Sequence, residues 1–95
     1  MPAYVIVDIE VKDPERYEVY RAKAPATIAQ FGGRYLVRGG NPQTLEGDWH
    51  TNRIAMLEFE SVEQAKRWWD SPEYRAIRGD RQESTNSRMI VVEGL

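Results

Sequence analysis

The strongest constraint on the fold is an alternation of side chains with period two, which recurs in several short segments. In residues 3–11, AYVIVDIEV, one face is wholly apolar and carries Ala3, Val5, Val7, Ile9 and Val11. This alternation predicts a β-strand, because successive side chains of a strand point to opposite faces. Similar patterns predict strands over residues 34–38, 53–60 and 89–93.

Helix signals lie between the first two predicted strands. Asp13 is a typical N-cap residue, and Pro14 suits the first helical position. Apolar side chains then recur at helical spacing, namely Tyr17, Tyr20, Ala24, Ile28 and Phe31. We expect Pro25 to kink or split this helix, because proline lacks an amide hydrogen. Gly32 and Gly33 are predicted to end it.

A second helical region follows the third predicted strand. Ser61 and Gln64 have the spacing of a capping box, and apolar residues follow at helical spacing. The adjacent Trp68 and Trp69 differ by ~100° around a helix, so one of them is expected at the rim of the core. Residues 71–77 predict a further helical turn, and residues 79–87, GDRQESTNS, a solvated turn or short helix.

The predicted order is strand, helix, strand, strand, helix, strand. This order indicates an α+β fold, the ferredoxin-like βαββαβ sandwich with a four-stranded antiparallel sheet, in one domain over residues 1–95. Helices would cover one face of that sheet. The other face would carry Ile6, Leu36, Ile54 and Met56, with either Ile90 and Val92 or Met89 and Val91. A second copy packed against this face would bury it, so the pattern predicts a homodimer.

Composition excludes several other classes of partner. The net charge is -2 with both signs interspersed, which argues against a nucleic-acid surface. No apolar stretch approaches the ~20 residues that span a bilayer, and the first residues do not resemble a signal peptide. The chain has no cysteine, which is compatible with a reducing cytoplasm. We therefore expect a cytoplasmic protein that binds neither nucleic acid nor membrane.

The second predicted strand lies within FGGRYLVRGG, where the glycine pairs do not form a phosphate loop. Strict alternation would place Arg34, Leu36 and Arg38 on one face, with Leu36 opposite Met56. Arg34 would then pair with Glu58, while Arg38 would lie opposite Ile54. Arg38 would then either form an ion pair with Asp8 or Glu46, or bind an anionic ligand, for which its planar guanidinium is suited.

The connection at residues 41–52 is long for a hairpin, and long loops are often functional. Glu46, Asp48 and His50 alternate within it, a spacing that is only weakly indicative of a metal site, and we assign no metal or cofactor. His50 is the only histidine and is a candidate for a general base, as is a carboxylate, although His50 is alternatively a solvated loop residue. Trp49 would cover a pocket or contact a partner subunit.

Four ordered motifs, FGGRYLVRGG, LEGDW, NRIAMLEF and SPEY, together resemble the family called domain of unknown function 1330, of the dimeric α/β barrel superfamily. The resemblance covers essentially the whole chain. It implies a ferredoxin-like subunit whose dimer closes two sheets into an α/β barrel. It implies no particular reaction, because the superfamily includes cofactor-independent monooxygenases, haem proteins and ligand-sensing domains.

The leading hypothesis is a pocket in the dimeric barrel that binds a small anionic or aromatic metabolite. The predicted ligand-binding residues are Arg38, Tyr20, Glu46, Trp49, Arg53 and Tyr74. One alternative is a cofactor-independent enzyme of the monooxygenase or isomerase type. The other is a non-catalytic sensing or interaction domain.

Overall fold

One four-stranded sheet carries three helices in the computed structural model, which describes all residues Met1–Leu95. The elements are β1 (Ala3–Val11), α1 (Pro14–Gln30), β2 (Arg34–Gly39), β3 (Arg53–Phe59), α2 (Val62–Trp69), α3 (Pro72–Ser84) and β4 (Thr85–Glu93). Neighbouring strands are antiparallel, in the order β2-β3-β1-β4. The predicted ferredoxin-like arrangement is confirmed, with the second helical region divided between α2 and α3.

The helices begin at the residues that their capping signals predict. Asp13, Ser61 and Ser71 each accept the backbone N–H of the third residue that follows. The capping box at Ser61 is only half formed, because the side chain of Gln64 does not return to it. The Gln64 Nε2 donates instead to the carbonyl of Phe31, at 3.0 Å. This bond joins the start of α2 to the end of α1.

Two expectations about the helices are wrong in one of their two alternatives. Pro25 neither splits nor ends α1, which continues to Gln30, because buried side chains on both sides of the proline hold the helix against the sheet. Residues 79–87 are not a solvated turn, whereas the alternative of a helix holds for residues 79–84, since α3 continues to Ser84 and β4 starts at once. Arg81 is among the buried residues of this segment.

The core fills the space between the helices and the sheet face that we call the inner face. It is formed by apolar side chains of β1, β3 and all three helices. Trp68 is a central residue of this core, because it is 1% exposed and its ring centroid lies 4.1 Å from that of Tyr74. Its indole Nε1 also donates to the hydroxyl of Thr27 at 3.1 Å. The neighbouring Trp69 is 41% exposed and is therefore the tryptophan at the rim.

The opposite, outer face of the sheet has no helix against it. Register with β1 settles which side chains of β4 lie there. Ile90 lies opposite Ile6 and shares its face, whereas Met89 and Val91 pack against the core. The structure contains no helix that is both long enough and apolar enough to cross a membrane.

The two adjacent tryptophans provide a direct test of this packing. Replacing Trp68 by Ala should lower the free energy of unfolding by about 3–5 kcal/mol, because it leaves a large cavity and removes a buried hydrogen bond. The matched change Trp69→Ala should cost about 1 kcal/mol or less, as surface substitutions do. Denaturant unfolding followed by circular dichroism measures both, and equal losses would contradict the assignment of Trp68 to the core.

Candidate functional site

The two arginines of β2 lie on different faces of the sheet. Arg34 is opposite Glu58, as predicted, and its Nη2 lies 2.7 Å from the carboxylate. A register shift between Tyr35 and Val37 then places Val37 opposite Met56 and Arg38 opposite Ala55. The predicted pairing of Leu36 with Met56 is therefore wrong. An extra residue in one strand exchanges the faces of the residues that follow it, so Arg38 turns towards the inner face.

Arg38 and Arg53 share a narrow cleft at one end of the inner face. The guanidinium carbon of Arg38 lies 4.6 Å from the ring centroid of Tyr35, and neither arginine forms an ion pair. Asp8 is not the partner of Arg38, because it lies on the outer face and accepts the backbone N–H of Asn52. The cleft holds only about 30 Å³, which is space for about one water molecule.

Tyr20 borders this cleft and connects it to the interior. Its hydroxyl shares a 2.8 Å hydrogen bond with that of Tyr74, which is fully buried. Burial raises the pKa of Tyr20 far above its usual value, and the nearby Tyr74 adds to the rise. Burial also raises the pKa of Tyr35, against the opposing effect of the Arg38 charge. Because its pKa is raised, neither Tyr20 nor Tyr35 carries a negative charge at physiological pH that would cancel the charge of the arginines beside it.

Arg81 continues the same chain of hydrogen bonds. Its Nε donates to the hydroxyl of Tyr74 at 3.2 Å, and its Nη1 donates to the hydroxyl of Ser87 at 2.7 Å. The residue is 4% exposed, yet it forms no ion pair. Buried charges in proteins are usually paired, so a buried arginine held only by neutral hydroxyls is unusual.

Beside Arg81 lies a cavity of about 470 Å³ between α2 and β4, which we call the α2–β4 cavity. Its apolar lining comes from both layers and consists of Val5, Ala65, Trp68, Trp69, Met89, Ile90 and Val91. Its polar lining consists of Lys66, Arg81, Gln82, Thr85, Asn86 and Ser87. The lining contains no aspartate and no glutamate, so its charge is positive.

This cavity was not among the predicted sites, because residues 79–87 were expected to form a solvated turn or short helix. A signal was nevertheless present, since Tyr74, Ile77, Arg81 and Ser84 recur at three- and four-residue steps and form the buried face of α3. That spacing places Arg81 on the same face as Tyr74 and Ile77.

The predicted site residues divide into two groups. Tyr20, Arg38 and Arg53 line the narrow cleft, and Tyr74 lies behind it. The other three lie in the connection between β2 and β3, away from the cleft and from the α2–β4 cavity. Within it Glu46 is exposed, Trp49 is 64% exposed, and the His50 Nε2 lies 2.7 Å from the carboxylate of Asp48. The structure does not bring the two groups together.

Solved structures share this fold. A protein of unknown function from Rhodopseudomonas palustris matches with a TM-score of 0.80 at 21% identity, over 99% of this chain and 82% of that one. A dimeric ferredoxin-like protein of unknown function from Jannaschia matches with a TM-score of 0.73 at 13% identity, over 99% and 100% of the two chains. SnoaB, a cofactor-independent oxygenase from Streptomyces nogalater, matches with a TM-score of 0.70 at 13% identity, over 99% of this chain and 93% of that one.

At these identities the likeness to solved structures shows the fold alone. No curated protein matches the sequence. The family model of the domain of unknown function DUF1330 matches residues 2–95, which is nearly the entire chain and includes both the narrow cleft and the α2–β4 cavity. The chain therefore belongs to the DUF1330 family.

Proposed function

We propose that this protein is a homodimer that binds a small organic molecule in the α2–β4 cavity of each subunit. The observation that carries the proposal is the cavity itself. Its volume of about 470 Å³ falls within the range of roughly 300–1,000 Å³ that is common for ligand pockets. We place this function in the cytoplasm, with which a chain without cysteine is compatible.

The cavity has the construction of a binding site. Its apolar residues supply contact area, and a few polar side chains at the α3–β4 junction can fix the orientation of a ligand. The wall formed by Trp69 is held in place from outside, because the guanidinium carbon of Arg78 lies 4.0 Å from the ring centroid. Arg78 also donates to the backbone carbonyl of Trp69 at 3.1 Å.

Cavity size favours this location over the narrow cleft beside Arg38 that the sequence indicated. The cleft would have to widen to accept anything larger than water, whereas the α2–β4 cavity is already open. Binding is also favoured over catalysis, since the lining offers no histidine or carboxylate that would serve as a general base.

The homodimer is proposed from the outer face of the sheet. Its exposed or half-exposed apolar side chains include Ile6, Val37, Ile54, Met56, Ile90 and Val92. A contiguous apolar surface of this kind is unusual on a monomer, and a second copy about a two-fold axis buries it at both partners at once. The structural neighbour from Jannaschia is itself described as dimeric.

Removing the exposed wall of the cavity tests the binding function. The probe is naphthamide, a neutral aromatic amide, and its affinity for the protein is measured by isothermal titration calorimetry. Trp69→Ala should weaken binding on the order of fivefold, because an aromatic contact contributes about 0.5–1.5 kcal/mol. Trp49→Ala is the matched control, since Trp49 is also exposed but lies in the β2–β3 connection. Absence of wild-type binding both of naphthamide and of the carboxylate of the same ring, naphthoate, would refute the proposal, as would equal losses in both variants.

A charge placed in the middle of the outer face tests the homodimer. Ile6 lies opposite both Met56 and Ile90, so Ile6→Lys should convert the dimer to a monomer while the circular dichroism spectrum stays the same. Sedimentation velocity measures the change. Val19→Lys is the control, because Val19 is an exposed apolar residue of α1. A wild-type protein that sediments as a monomer at micromolar concentration would contradict the dimer.

A further inference from the structure

The buried guanidinium of Arg81 has one nitrogen that the protein does not use. Nε and Nη1 donate to Tyr74 and Ser87, but Nη2 forms no hydrogen bond with the chain. No fully buried side-chain nitrogen of the protein lacks a partner. Nη2 therefore reaches open space, and the space that Arg81 lines is the α2–β4 cavity. The structure presents an N–H donor that is aimed into a cavity and has no acceptor.

The charge around this donor favours a negative ligand. Arg81 and Lys66 are the charged residues of the lining, and both are cations. The neutral hydroxyls of Tyr74 and Ser87 orient the guanidinium without cancelling its charge. In a partly desolvated cavity such a charge acts more strongly than it would in water. An anion that accepts from Nη2 also gives the buried cation the counter-charge that it lacks.

The apolar part of the lining favours an aromatic body on that anion. Trp69 is exposed at the rim, and Arg78 restrains its ring and backbone. Apolar side chains of β4, among them Met89 and Val91, also line the cavity. A flat apolar group would contact these surfaces while an acidic group attached to it reaches Arg81.

We propose that the α2–β4 cavity selects aromatic carboxylates, with Arg81 as the residue that recognises the carboxylate through Nη2. This inference rests on the proposed function, because it concerns the same cavity and names the chemical class of its ligand. Arg81 is then a specificity-determining residue, and its burial is explained by the ligand charge that it binds. A carboxylate is favoured over a phosphate dianion, since Arg81 is the one cation buried in the lining.

A pair of probes with the same ring system tests the inference on the wild-type protein. Naphthoate carries a carboxylate, and naphthamide replaces it by a neutral amide of similar shape. Calorimetry should give an affinity for naphthoate at least about tenfold higher than for naphthamide, the difference expected for a charge-assisted hydrogen bond. Inorganic phosphate should not displace naphthoate, and displacement would overturn the assignment to carboxylates.

Variants of single arginines test which residue causes the preference for naphthoate over naphthamide. Arg81→Gln should bring the ratio of the two affinities close to one while naphthamide still binds. Arg81→Lys should keep part of the preference for naphthoate, because lysine keeps the positive charge but lacks the planar guanidinium with its several N–H donors. Arg75→Gln is the matched control on α3, since Arg75 is exposed and outside the lining, and it should leave the ratio unchanged. If Arg38→Gln removes the preference and Arg81→Gln does not, the anion binds in the narrow cleft and the inference is wrong.

If Arg81→Gln does not fold, an NMR measurement on the wild-type protein tests the same inference. In nitrogen-15 NMR spectra of the wild type, naphthoate should shift the Nε–H signal of Arg81, and naphthamide should shift it much less. A shift confined to other arginines would overturn the inference. Equal affinities for the two probes would refute anion selection and leave the proposed binding function intact, whereas no binding of either probe would refute both.

Discussion

The hydrogen bonds of a single buried guanidinium connect the helical layer to the edge of the sheet. Arg81 donates to Tyr74 on its own helix and to Ser87 on β4, and Tyr74 shares a hydrogen bond with Tyr20 on α1. One cation thereby links α1, α3 and β4. Because its partners are neutral, the link leaves positive charge uncompensated where α3 meets β4. The position of the α2–β4 cavity at that junction explains why its lining is positive.

The sheet gives its two faces different roles. Side chains of the inner face pack against the helices around Trp68 and, at the β4 edge, form the wall of the cavity. The outer face retains apolar side chains that no part of the chain covers. Ile90 belongs to both regions, since it shares a face with Ile6 and also lines the cavity. The proposed dimer interface and the proposed ligand site are therefore adjacent along β4.

Much of the fold follows from local signals. The alternation in β1, the caps at Asp13 and Ser61, and the apolar stripe of α1 each act over a few residues, and each is found as predicted. The site was less predictable. The face on which Arg38 lies depends on the bulge near Leu36, and a bulge forms only when two strands pair. Similarly, the spacing of Arg81 places it on the buried face of α3 but does not reveal its partners.

The sequence by itself determined the order of the elements, the positions where helices begin, and the apolar character of both sheet faces, because these depend on periodicity and on side chains close together in the chain. Only the tertiary structure decided which tryptophan is buried, which face Arg38 occupies, and that Arg81 meets Tyr74, Ser87 and an open cavity. Those outcomes depend on strand register and on packing between distant segments. Contacts of that kind form only when the whole chain is folded.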